Sequence, residues 1–199
     1  MLCGCSSRLD SAAPVKPVRS MLEMRHESVV VQQWDTSCGA AALATILTYQ
    51  HGDPIPEKKI AEAMLKRTDP LRVKYRGGFS LLDLKRFVES RGYEADGYTE
   101  VDLENLVEFG PSIVPVTISG YNHFVVFRGI ISDRVFLADP GFGNRTVSID
   151  EFQDAWVQNM AFVVTSTDGK TARSRLAPRE TEVITPTANS IRAAIRPRG

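Results

Sequence analysis

The chain has 199 residues, 24 basic and 24 acidic side chains, 43% hydrophobic and 8% aromatic content, enough for one domain with an ordinary core. That charge balance gives no case for nucleic acid or an acidic substrate, and no apolar run approaches the roughly 20 residues that cross a bilayer. Cys3, Cys5 and Cys38 form no disulfide framework, the first two being too close in sequence to pair normally.

Leu2-Cys3-Gly4-Cys5, followed by Ser6-Ser7, resembles the cleavage end of a bacterial lipoprotein signal without its basic and apolar portions. On that reading Cys5 is a lipid anchor and the protein belongs to the bacterial cell envelope, on the periplasmic side; otherwise it is expected in the cytoplasm. Residues 1–27 form a lead-in, of which 8–27 mix Pro, Ser, Arg and Met without period and read as extended. Val29, Val30 and Val31 are a short strand-prone run.

The stretch Val31 to Gly52 organises the rest of the chain. Ala41, Ala42, Ile46 and Tyr49 fall on one side of a helix that Gly52 is placed to end, so Cys38 stands at its start. Unpaired N–H groups and the positive dipole end push a thiol there toward thiolate, which makes Cys38 a candidate nucleophile. Taken alone, it reads equally as a small buried hydrophobe.

A second helix is predicted from Pro56 to Arg67, then a polar, glycine-containing loop from Thr68 to Phe79 that lacks the phosphate-binding arrangement. Ser80 opens the clearest amphipathic helix, capped with Asp83 and ended by Gly92. Asp102 to Phe109 is a further short helix. The period then becomes extended, with strands at Ile113–Ile118, His123–Ile130, Arg134–Ala138 and Ala161–Thr165, and a helix from Ile149 to Trp156 between the last two. Helices first and strands second give an α+β fold with an antiparallel sheet packed on the opening helix, spanning 28–165. From Ser166 to Gly199 seven basic residues stand against three acidic, and this Ser/Thr/Pro/Arg-rich tail reads as flexible and solvated, with a short helix at Ser190–Ile195 as the alternative.

A hairpin centred on Ile131 would set His123 directly opposite Asp139, with Cβ atoms about 5 Å apart, so that the carboxylate orients the imidazole. Thiol, base and orienting acid are then Cys38, His123 and Asp139. A neutral amide before the nucleophile, from Gln32 or Gln33, together with the Cys38 N–H, would stabilise a tetrahedral oxyanion. Each residue alone has an ordinary reading, Asp139-Pro140-Gly141 being a common turn sequence. A metal site built from Cys38, His123, Asp139 and His51 is disfavoured, because no paired ligand spacing exists and His51 lies about 20 Å along the helix. No metal or other cofactor is expected, and His26 and His51 read as surface groups.

The segment Gln32-x5-Cys38-Gly39-Ala40-Ala41, the helix start Gly78-Phe79-Ser80, Asn122-His123-Phe124-Val125-Val126, and Ala138-Asp139-Pro140-x-x-Gly143 with Phe152 and Trp156 closely resemble the C39 family of bacterial cysteine peptidases over about residues 27–165. The resemblance implies a papain-like fold and removal of leader peptides after a double glycine, usually by the first domain of a peptide-exporting transporter. It implies Cys38 as nucleophile, His123 as base and then acid, Asp139 as orienting residue, and Gln32, six residues before the cysteine, as oxyanion donor. The family commonly has an acidic residue where this chain has Ser37, with little effect expected. The sequence carries neither the transporter's membrane segment nor its ATPase, and so resembles stand-alone C39-like proteins, some serving secretion of functional amyloid.

The expected function is a cysteine endopeptidase acting on a peptide or protein substrate after Gly-Gly or another small-residue pair, with a secretion-system partner and no nucleic acid. The rival is a C39-like module that binds such peptides without cutting them. Acyl transfer by the same triad differs only in the acceptor.

Overall fold

The computed structural model describes residues 20–167 and 174–182. Cys3, Cys5 and the helix considered at 190–195 lie outside them. The elements are α1 (Met21–Arg25), α2 (Cys38–Thr45) continued by a π turn at Ile46–Gln50, α3 (Glu57–Leu65), α4 (Pro70–Arg76), α5 (Leu81–Glu89), β1 (Tyr93–Tyr98), α6 (Leu103–Phe109), β2 (Ser112–Ile118), β3 (Tyr121–Ile131), β4 (Arg134–Asp139), β5 (Gly143–Ser148), α7 (Ile149–Ala155) and β6 (Ala161–Ser166).

The strands form one antiparallel sheet in the order β1-β6-β2-β3-β4-β5. Because side chains alternate across a strand, β2, β3, β4 and β6 each serve two cores. Ile113, Val126, Ala138 and Phe162 pack with α2, α3 and α5, while Val114, Val125, Phe127 and Leu137 pack with Leu106, Phe152 and Trp156 on the other side. The α+β class with helices laid on an antiparallel sheet is the one expected.

Every residue of α2 is buried. Its small side chains let it lie close to its neighbours, since a Cβ at Gly39 would come within 3.2 Å of Leu84 Cδ1 and 3.4 Å of Phe124 Cδ2. The α5 capping box of Ser80 and Asp83 forms as predicted, with Thr68 donating to the same Asp83 carboxylate at 2.5 Å.

Several expectations are corrected. Val29–Val31 is not a strand; Val30 N–H donates instead to Thr45 Oγ1 at 2.9 Å, which ties the segment to α2. The lead-in contains α1, opened by a Ser20/Glu23 capping box, and the 68–79 loop contains α4, with Asp69 as cap, Pro70 in the first turn and Gly77 at φ 77° to end it. Strands β1 and β5 are not among the predicted elements; both are sheet edges, β1 mostly exposed and β5 mostly half-buried, and both lack an apolar period. The β3–β4 turn is the two-residue Ser132-Asp133, and a bulge at Arg128 shifts the register between Phe127 and Gly129, so the ladder ends at Val126↔Ala138 with His123 and Asp139 not directly opposed. His51 is half-buried rather than superficial, with its Nε2 3.1 Å from the Val164 carbonyl and its ring against Tyr93.

The expected boundary at 165 does not limit the packing. Residues 174–182 lie against the domain as a strap: Leu176 is 0% exposed, Arg175 N–H donates to the Tyr49 carbonyl, and buried Arg128 donates to the Leu176 carbonyl and to Glu182. Arg179 pairs with Glu27, joining the strap to the chain entering the domain.

Candidate active site

Cys38 is the first residue of α2 and 6% exposed, its N–H among those at a helix start that have no intrahelical acceptor. Burial alone would push the thiol up. The His123 imidazole beside it, with backbone contacts at Phe124 and Gly39, outweighs this and leaves the thiol below its ordinary range.

His123 is carried by β3. Its Nε2 lies 2.7 Å from Asp139 Oδ1, which leaves Nδ1 as the nitrogen for the sulfur. Burial disfavours the imidazolium, but hydrogen bonds and attraction to Asp139 and Cys38 prevail and raise His123 to about 9. Both shifts favour the thiolate–imidazolium form of the pair, which can attack a carbonyl without prior proton transfer.

Asp139 ends β4 and is 0% exposed. Its burial is compensated on both oxygens. Oδ1 takes the His123 bond and one from Gly141 N–H at 2.8 Å, and Oδ2 takes one from Arg145 Nη1 at 3.2 Å. Burial pushes the carboxyl up, but His123, Gly141 and Arg145 together hold it below the usual carboxylate range.

The two glutamine candidates separate. Gln32 N–H donates to the Pro140 carbonyl at 2.8 Å, fixing it beside the Asp139 turn, and its Nε2 donates one hydrogen to the Trp34 carbonyl at 3.1 Å. Its Oε1 is buried with no partner. Gln33 is exposed, and its backbone N–H goes to Glu57. Thus Cys38, His123 and Asp139 are brought into contact, and Gln32 is held through Pro140.

The thiol opens into a cleft of about 150 Å³, walled by Gly78, Phe79, Pro115 and Phe124. A Cβ at Gly78 would sit 3.2 Å from the Thr36 carbonyl, so glycine lets the α4–α5 connection pass this close to the loop before Cys38 without pushing it aside. Among the described residues no group of three or more His, Cys, Asp or Glu side chains could hold a metal ion.

Two contacts were missed from sequence. Arg145 sits on an edge strand without a hydrophobic period, and Glu57, in the first turn of α3, reads there as an ordinary acidic helix start. Ser37, which stands where the family commonly has an acidic residue, is 2% exposed and its hydroxyl donates to Glu57 Oε1.

The model of the peptidase C39 family matches residues 26–168. The chain belongs to the peptidase C39 family. It is 42% identical over 142 residues to a probable functional amyloid protease, FapD, of Pseudomonas aeruginosa, covering 71% of this chain and 62% of that protein. The chain thus spans about 62% of the length of the curated FapD relatives it matches. Among solved structures, a double glycine motif protease from an AMS/PCAT transporter, in complex with the leader peptide, is 26% identical with a TM-score of 0.58, covering 70% of this chain and 91% of that one. The peptidase domain of Streptococcus ComA shares the fold at 21% identity and a TM-score of 0.59, covering 71% and 100%. Among the described residues no helix is long and apolar enough to cross a membrane.

Proposed function

We propose that this C39 protein is a cysteine endopeptidase that cuts an extended peptide after Gly-Gly or another small-residue pair, in bacterial peptide or amyloid secretion. The observation that carries the reading is the contact series Cys38, His123, Asp139 at the mouth of a confined cleft.

The Cys38 thiolate attacks the scissile carbonyl, and the resulting oxyanion accepts hydrogen bonds from the Cys38 N–H and the second Nε2 hydrogen of Gln32. His123, protonated, gives its proton to the departing amine, leaving a thioester on Cys38. It then takes a proton from water, which attacks the thioester, releases the new carboxylate and restores the thiolate–imidazolium pair. Asp139 keeps the imidazole turned toward the sulfur throughout. A cleft of about 150 Å³ with a glycine wall at 78 favours residues without side chains beside the cut. The FapD and AMS/PCAT relatives support a secretion substrate, and a periplasmic, envelope-associated protein fits it.

The test is incubation of the purified protein with peptides containing an internal Gly-Gly, with products read by mass spectrometry. Cleavage after the second glycine is expected, lost in Cys38→Ala with the circular dichroism unchanged and lost when Gly-Gly becomes Val-Val. A Cys38→Ala protein that still cuts overturns the nucleophile, and a wild-type thiol that labels no faster than a free cysteine at neutral pH favours a binding module.

A further inference from the structure

The buried carboxylate of Glu57 takes no part in bond cleavage, yet it faces the loop that enters the nucleophile helix. Glu57 is 3% exposed at the N-terminus of α3. Both its oxygens are 3.2 Å from Gln33 N, and its Oε1 accepts the Ser37 hydroxyl. Those two groups bracket the turn Gln33–Ser37. Inside the turn the Trp34 carbonyl accepts Ser37 N–H at 3.1 Å and Gln32 Nε2 at 3.1 Å. One side of the turn therefore holds the Gln32 amide, and its end is the residue before Cys38.

A carboxylate removed from water has to be compensated by donors, and here the donors belong to a single short loop. The interaction fixes a backbone segment flanked by the two candidate oxyanion donors, Gln32 and Cys38. Resting on the peptidase reading, we infer that Glu57 is a positioning residue: it clamps the Gln33–Ser37 turn so that Gln32 Nε2 and the Cys38 N–H are held together to receive the oxyanion. It acts without touching substrate.

Two probes of the purified protein separate this from a merely structural role. Iodoacetamide alkylates Cys38 by displacement and forms no oxyanion, whereas a peptide aldehyde ending in Gly-Gly forms a thiohemiacetal whose oxygen occupies the oxyanion position. Glu57→Gln keeps the shape but places a donor amide against the donors of the loop. Alkylation is expected to stay within about threefold of wild type while aldehyde inhibition weakens by about 10- to 100-fold, below the 10²–10³ seen when an oxyanion donor is removed outright. Ser37→Ala, which removes one held group together with its contacts to the Trp34 carbonyl and N–H and leaves the carboxylate, should shift the same ratio in the same direction by less, and serves if Glu57→Gln does not fold. Equal loss on both probes, or loss on neither, overturns the proposal. Failure of the parent reading looks different: wild-type Cys38 would alkylate slowly and without dependence on His123.

Discussion

Arg145 Nη1 holds Asp139 Oδ2 at 3.2 Å while His123 occupies Oδ1 at 2.7 Å. Each carboxylate oxygen thereby has its own partner. A base oriented by a carboxylate is only as well placed as that carboxylate, so an edge-strand arginine sets the direction of the imidazole at one remove.

Replacing Arg145 with Met removes the charge and keeps most of the stem. Asp139 then titrates at higher pH. A carboxyl held low in the folded state stabilises above its unfolded value and loses that contribution as pH falls through the folded one. The acid-unfolding midpoint of Arg145→Met should therefore move upward relative to wild type. Superimposable acid-unfolding curves would show that Arg145 does not hold Asp139.

His123 titrates at about 9, above its ordinary value of 6.5, because its bonds to Asp139 and Cys38 outweigh its burial. Its stabilising contribution is complete below the unfolded value and is lost as pH rises through about 9. Peptide cleavage should fall over the same interval, since His123 can no longer protonate the leaving amine, while alkylation of Cys38 persists. Asp139→Ala should bring the alkaline limb of cleavage down toward neutrality. A limb that stays in place, measured on the same peptide, would contradict the assigned partner.

The 174–182 strap carries a stability prediction. Leu176 is 0% exposed, and Leu176→Ala should cost about 2–5 kcal/mol. At roughly 2–4 °C per kcal/mol for a domain of this size, thermal unfolding should show a Tm lower by at least 4 °C or so. Ending the chain after Ser166 should do at least as much. An unchanged Tm in both would mean that the domain closes without the strap.

Gly39 tests how closely α2 must lie. Leu84 and Phe124 already stand 3.2 and 3.4 Å from where a Cβ would be, so Gly39→Val overfills the junction of α2, α5 and β3. A loss of about 1–3 kcal/mol is expected in denaturant unfolding, together with slower alkylation of Cys38. A fully stable, fully reactive Gly39→Val would show that the helix can shift freely.

The parts of this molecule legible from sequence are those that carry their own local pattern. The Ser80/Asp83 capping box and the apolar face behind it specify α5, and the aliphatic runs of β2, β3 and β4 specify strands buried on both faces. The edge strand β1 buries only Ala95, so no alternation survives to be read. Leu176 stands alone among Arg, Pro and Thr and gives no period at all. The β3 bulge rests on Gly129 at φ 145°, with Pro178 of the strap 3.0 Å from its missing Cβ, a constraint that comes from residues almost fifty positions away. The site divides likewise. Cys38 opens a helix and His123 stands near the beginning of a strand, in patterns that show from sequence, whereas Arg145 and Glu57 act through hydrogen bonds to residues that only folding brings near.

A thiol held below its ordinary range is also the group that peroxides attack first. Cys38 is 6% exposed and is the free cysteine among the described residues, so a sulfenic acid formed there meets no second thiol among them to rescue it as a disulfide. The burial of the sulfur at the foot of its cleft thus doubles as a shield, and how long it stays reduced depends on how little of it that cleft leaves open to solvent.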